Sequence, residues 1–197
     1  MTERSEPLEG KAATQDRILR AAGALFVEQG YEGTTIAEIA DRAGVSRATV
    51  FWHFGDKAGL FRESLAELLV PFRESIGRDL SDLPPSKQLE QRVASFQDFV
   101  YERREIIQGL VRWVGESPSL HATLIDTLMG LHQRHIGLLT ESLAEILPPD
   151  QNPKDAAAGI MSALLGNMLL GLFDASEAAA ESRRAATAAI VAAVQQH

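Results

Sequence analysis

Cysteine is missing from all 197 residues. Its absence removes disulfide scaffolds, thiolate zinc sites, iron–sulfur clusters and cysteine nucleophiles together, and it fits a reducing compartment. Positive charge is in short supply. Lys and Arg number 19 against 27 Asp and Glu, a net charge of −8, so the overall field offers nothing to nucleic acid or an anionic membrane. Alternating β-branched runs are absent, which argues against strands. Residues 1–13 carry three glutamates and no apolar run, so they read as a flexible tail and not as a secretory leader. No nucleophile–base pair or metal cluster stands out, and Gly55-Asp56-Lys57-Ala58-Gly59 lacks P-loop spacing. No enzyme class is suggested, and no cofactor.

What is present is helix. The 45% hydrophobic content is ordinary for a soluble domain. Proline and glycine fall between periodic runs. Thr14 is a plausible N-cap for a first helix carrying Ile18, Leu19, Ala22, Leu25 and Phe26, which Gly30 should stop. A second, two-turn helix holds Ile36, Ile39, Ala40 and Ala43 before Gly44; Ser46 and Asp56 can cap a third and a fourth. Longer helices follow. Pro84-Pro85-Ser86, Ser117-Pro118 and Asn152-Pro153 each mark a fresh start, proline being harmless in a first turn. The helix opened at Ser117 can run to Leu147, and Ser176 can cap a last, alanine-rich one. This is an all-α chain of about nine helices in two parts. The expected division is a tail at 1–13, a three-helix domain at 14–60 and a helical domain at 61–197.

Two segments carry meaning beyond packing. Residues 156–173 are apolar except Ser162 and Asn167, long enough for a membrane span but flanked by Asp155 and Asp174 without aromatic belts. Such a helix equally suits the centre of a soluble bundle or dimer. The other segment is TTIAEIADRAGVSRATVFWHFGDKAGL at 34–60. It reads as two short helices joined by Ala43-Gly44-Val45, with glycine supplying the left-handed corner. Ile39, Ala40, Val45 and Val50 are spaced to pack the pair across each other. This is helix-turn-helix geometry, whose second helix enters the major groove by its N-terminal end. The exposed Ser46-Arg47-Ala48-Thr49 start suits base edges better than a core.

With its threonine pair, I-A-x-x-A-G-V-S turn, aromatic-x-His-Phe ending and following lysine, this stretch resembles the DNA-binding segment of the TetR family of transcriptional repressors. With the first helix, the resemblance spans about 14–62. It implies that Arg47, Ala48 and Thr49 begin the recognition helix, where Arg47 can reach guanine O6 and N7 and Ala48 a thymine methyl, and it implies phosphate contacts from Thr35, His53 and Lys57, with Trp52 close to the backbone. The family usually has tyrosine where this chain has Phe51, so Phe51 is left with packing or a thymine contact. Residues 1–60 hold seven Lys/Arg and nine Asp/Glu, a net of −2, leaving −6 for the rest. Few basic contacts per subunit predict a shallow salt dependence.

The resemblance further implies a cytoplasmic homodimer, paired through the last two helices, on a palindromic operator. Gly159, Ala163, Gly166 and Gly171 would permit close approach beside a stripe of Met161, Leu165, Met168 and Leu172. It also implies a largely apolar small-molecule effector that releases the DNA. Its candidate contacts are Phe72, Phe96, Phe99, Trp113, Met129, His132, Met161, Asn167 and Met168, among which the polar His132 and Asn167 stand inside apolar runs. His121, His132 and His135 raise metal binding, but no carboxylate repeats their spacing, and none is expected. The competing reading keeps the DNA-binding head and replaces the small molecule with a protein partner.

Overall fold

The computed structural model describes residues 6–116 and 118–195. Its helices are α1 (Glu6–Gly33), α2 (Ile36–Ala43), α3 (Arg47–Phe54), α4 (Lys57–Leu68), α5 (Val70–Ile76), α6 (Pro85–Glu102), α7 (Arg104–Glu116), α8 (His121–Ala144), α9 (Pro153–Phe173) and α10 (Glu177–Gln195). A 3₁₀ turn at Pro118–Leu120 precedes α8, and no strand occurs among the described residues. Only Leu69 separates α4 from α5; counted as one run, the α-helices among the described residues number nine, against about nine expected.

The N-terminal expectation is corrected. Residues 6–13 are helical and continue into α1; residues 1–5 lie outside the described residues. Thr14 does not cap, because its hydroxyl donates to the Gly10 carbonyl one turn back, at 2.9 Å. Threonine can satisfy itself this way inside a helix. The helix after Ser117 also differs: Ser117 itself is outside the described residues, Pro118–Leu120 is a 3₁₀ turn, and α8 ends at Ala144, short of Leu147. Gly30 does break α1, with φ 81° and ψ 168°.

The chain folds as two compact units that are not the linear division expected at residue 60. One gathers the chain up to Val70 with Glu105–Ile125; the other is Pro71–Arg104 with Asp126–His197. In the first, α1 packs on α2 and α4 through Ile18, Ala22, Leu25 and Phe26. The reason α7 belongs here is visible at Trp113. It is fully buried, edge-on to Phe61 with centroids 5.1 Å apart, and its indole N–H donates to the Phe26 carbonyl at 3.2 Å. Arg112 donates to the Val27 carbonyl at 2.7 Å. These carbonyls lie in the turn before Gly30, where α1 is kinked.

In the second unit α6 and α9 pack together, and α10 packs on both. Asn152 caps α9 by accepting from the Lys154 N–H at 3.1 Å, with Pro153 at the first position. Ala157, Ile160, Met161 and Leu164 bury the first half of α9, whereas Leu169, Leu170 and Phe173 near its end are exposed. This helix is long and apolar enough by composition to cross a membrane; its buried first half is what a bundle core requires.

Candidate nucleic-acid interface

The two-helix corner is built from caps that the sequence spells out. Thr34 is completely buried, its hydroxyl shared between the carbonyls of Gly30 (2.7 Å) and Leu25 (3.2 Å). Thr35 caps α2: its hydroxyl accepts from the Glu38 N–H at 3.2 Å and donates to the Glu38 carboxylate at 2.7 Å. The Thr35 N–H donates to the same carboxylate at 2.8 Å, closing a capping box. These bonds hold the Glu38 carboxyl below its usual range. Gly44, at φ 66° and ψ 41°, ends α2 in the left-handed conformation. Ser46 caps α3 by accepting from the Thr49 N–H at 3.0 Å, and the Thr49 hydroxyl lies 2.8 Å from that of Ser46. Asp56 caps α4 through the Gly59 N–H at 2.7 Å. Residue 59 must be glycine: a Cβ there would run into the Phe54 carbonyl oxygen.

Alternation along α3 separates a buried side from an exposed one. Val50 and Phe54, one turn apart, are buried. Arg47 and Phe51 form one exposed row, and Ala48 and Trp52 another. Ser46, Arg47 and Ala48 are open to solvent, while Thr49, His53 and Lys57 are half-buried. A shallow cleft of about 570 Å³ beside them is lined by Ala37, Glu38, Ala40, Asp41, Val45 and Arg47. Arg47 is therefore flanked by the acids that hold the head's charge down.

Of the nine sequence-expected residues, Thr35, Ser46, Arg47, Ala48, Phe51 and Trp52 are exposed and Thr49, His53 and Lys57 half-buried, and one of them takes a different first role. Thr35 is exposed, but its hydroxyl proton goes to Glu38, so its first task is capping. The residues that steady Lys57 had no sequence signal. Its ammonium lies 4.3 Å above the Tyr31 ring, and Tyr31 stacks on Phe26 and meets Phe61 edge-on. Other head cations are neutralised locally: Arg42 makes two bonds to Glu28 (2.8 and 3.0 Å), and Arg20 pairs with Asp16 at 3.4 Å.

The nine candidate effector contacts do not form one group. Phe72, Phe96 and Phe99 cluster, with centroids 5.7 Å apart for Phe72–Phe96 and 4.9 Å for Phe72–Phe99. Trp113 belongs to the other unit, as a buried anchor of α7. Asn167 spends its amide on the α9–α10 junction, donating to the Thr187 hydroxyl at 2.8 Å and the Arg183 carbonyl at 3.3 Å. Met161 is buried, Met129 is exposed, and His132 and Met168 are half-buried. The residue overlooked is His135. It is fully buried against Phe96, with centroids 5.6 Å apart, and neither ring nitrogen has a hydrogen-bond partner. Burial pulls its pKa down to about 4. A separate cleft of about 640 Å³, lined by Arg78, Asp79, Gln88, Arg92, Leu138 and Glu145 among others, includes none of the nine. Among the described residues no three His, Asp or Glu are grouped to hold a metal ion.

Comparison with known proteins agrees with this geometry. Residues 18–64 match the family model described as bacterial regulatory proteins, tetR family. The HTH-type transcriptional regulator AcrR of Shigella flexneri is 30% identical over 172 residues, 79% of this chain and 78% of that protein. The HTH-type transcriptional repressor BepR of Brucella suis biovar 1 is 30% identical over 166 residues, covering 80% and 79%. A solved transcriptional regulator from Rhodococcus sp. Rha1 superposes with a TM-score of 0.73 over 92% of this chain and 96% of that one; at 20% identity the likeness concerns the fold.

Proposed function

The chain belongs to the TetR family of bacterial regulatory proteins, and from that premise we propose how it acts. It is a DNA-binding transcriptional regulator and not an enzyme. Our reading is a cytoplasmic homodimeric repressor that sits on a palindromic operator and leaves it when a small, largely apolar effector binds. The observation that carries this is the exposed start of α3, where Ser46, Arg47 and Ala48 project from a corner fixed by Thr34, Glu38, Val50 and Phe54. Arg47 reads guanine by a bidentate contact, Ala48 and Phe51 meet thymine methyls, and Trp52, His53 and Lys57 approach the backbone. Thr49 supports the Ser46 cap, and Thr35 keeps its place at the phosphate edge through its exposed side chain.

Dimerisation is supported by the second half of α9. Leu169, Leu170 and Phe173 are exposed, and so is Ile190 on α10. A Cβ at Gly159 or Gly166 would meet nothing, so another helix can come close there. Apolar area of this kind seldom stays uncovered on a soluble protein. The stripe expected from sequence is shifted, because Met161 turns inward and Arg183 covers Gly171. Two recognition helices about 34–36 Å apart would then read successive major grooves. For the effector, Phe72, Phe96 and Phe99 offer the apolar lining, with Met129, His132, Met161, Asn167 and Met168 as the remaining candidates.

Selection of genomic fragments by the purified protein at stated, moderate salt tests the proposal. Recovery of a few inverted repeats is expected; recovery of nothing above background from folded dimer would overturn it. Arg47→Ala is expected to weaken binding to a selected site by about 1–3 kcal/mol and to relax specificity at one base pair. Lys57→Ala is expected to weaken all sequences alike and to reduce the salt slope by about one. Titrations of both variants on selected and scrambled duplexes check the two patterns, and an exchange of them would refute the assigned roles.

A further inference from the structure

We propose that Lys11, on the first turns of α1, is a DNA phosphate-binding residue held at the edge of the reading face by Trp52. The proposal rests on the DNA-binding reading above and extends the contact surface beyond the helix-turn-helix. Lys11 precedes the 18–64 stretch matched by the family model, so the family pattern assigns it nothing. Its ammonium lies 4.7 Å from the centroid of the Trp52 ring. Trp52 stands one helical turn after Ala48 and shares its row on α3, which puts Lys11 beside the base-reading surface.

Two features separate this pair from ordinary surface chemistry. Trp52 is 68% exposed, so the ring is not serving the core. Four cations of this unit are held in one of two ways. Arg20 and Arg42 are bonded to carboxylates, whereas Lys11 and Lys57 each rest on an aromatic face. A carboxylate cancels the charge it orients. A ring attracts the ammonium through its quadrupole and leaves the full charge in place. With N–H donors pointing away from the ring, the ammonium can still give hydrogen bonds to phosphate oxygens. In a chain of net charge −8, cations kept positive at this face are what binding would draw on. The helical extension at residues 6–13 has a purpose on this reading: it carries Lys11 to that place.

The test compares wild type, Lys11→Ala, Lys11→Arg, Trp52→Leu and the Lys11→Ala/Trp52→Leu pair. Each is titrated onto a duplex recovered by genomic selection and onto a scrambled duplex of equal length, across a salt series. Each phosphate contact contributes about 0.9 to the slope of log K against log salt. Lys11→Ala should therefore lower that slope by about 0.9 per subunit and weaken binding about eightfold per subunit at 0.1 M salt, equally on both duplexes. Lys11→Arg should restore both. In the Trp52→Leu background the Lys11→Ala loss should shrink, because the ammonium is no longer positioned. An unchanged affinity and slope in Lys11→Ala overturns the proposal. So does a loss confined to the selected duplex, which would mean base reading. An undiminished loss in the Trp52→Leu background overturns the positioning by Trp52. Wild-type protein that binds neither duplex overturns the DNA-binding reading itself, and this proposal with it.

Discussion

Truncating Trp113 to alanine is expected to cost about 3–5 kcal/mol, the range for deleting a large buried aromatic. That is a large part of the roughly 5–15 kcal/mol that holds an ordinary domain together. The reasons are local. Trp113 has no exposed surface, meets Phe61 edge-on, and presses its ring onto Gly109, where a Cβ would come within 3.2 Å. Its N–H also fills one of the Phe26 carbonyl's two lone pairs. Arg112 reaches the same carbonyl at 3.3 Å, so the hydrogen bond is the smaller loss and the cavity the larger. Trp113→Phe should accordingly recover most of the deficit. The other tryptophan supplies the control: Trp52→Ala, at an exposed site, should change stability by no more than about 0.5 kcal/mol. Urea denaturation followed by circular dichroism compares the three variants, and equal midpoints for Trp113→Ala and Trp52→Ala would contradict the account. The ring contacts continue from Trp113 through Phe61 and Tyr31 to the Lys57 ammonium. Weaker DNA binding by Trp113→Ala, measured where it remains folded, is the expected second effect.

The helix-turn-helix could be read directly because its physics is local. Thr35 and Glu38, Gly44, Ser46 and Thr49, and Asp56 and Gly59 lie within four residues of the groups they satisfy, so the sequence order shows them side by side. Trp113 could not be read that way. Its partners Phe26 and Phe61 are 87 and 52 positions away, and an aromatic inside an apolar run looks the same whether it lines a pocket or anchors a helix. Thr14 failed for a different reason: a threonine hydroxyl can cap the next turn or bond the previous one, and composition does not choose. Lys11 was hidden inside what looked like a solvated tail. His135 was visible only as half of a histidine pair, since nothing in residues 130–137 says which of His132 and His135 turns inward.

That inward turn gives the last expected result: acidification from pH 7 to pH 5 should cost this protein about 2 kcal/mol through His135 alone. The side chain sits fully buried among Phe72, Phe96 and the α6 residue Arg92. Burial is the main cause of its low pKa, about 4 against an ordinary 6.5; the charges of Arg92 and His132 push the same way. The Arg92 backbone favours the cation, without hydrogen-bond geometry and not enough to offset burial. Arg92 is itself buried, with Asp79 and Glu141 supporting its charge. Because the folded pKa is depressed, the unfolded chain takes up the proton first. The stabilising contribution of the neutral ring is complete above pH 6.5, declines as pH falls, and is gone near pH 4. A tenfold difference in proton affinity between the folded and unfolded chain corresponds to about 1.36 kcal/mol, which makes the whole window on the order of 3 kcal/mol. Glu28, Glu38, Asp79 and Asp174 are also held below their usual values. Their contributions disappear only at lower pH, through the carboxylate range, so the interval from 7 to 5 isolates the imidazole. Replacing it with phenylalanine keeps a ring against Phe96 and removes both unpartnered nitrogens, a change that need not weaken the core. Urea midpoints at pH 7 and pH 5 should separate the two proteins, falling for wild type and holding for His135→Phe, with His135→Leu as a smaller replacement should phenylalanine overfill the site. Parallel declines in wild type and both variants would show that the buried histidine is not the group being titrated.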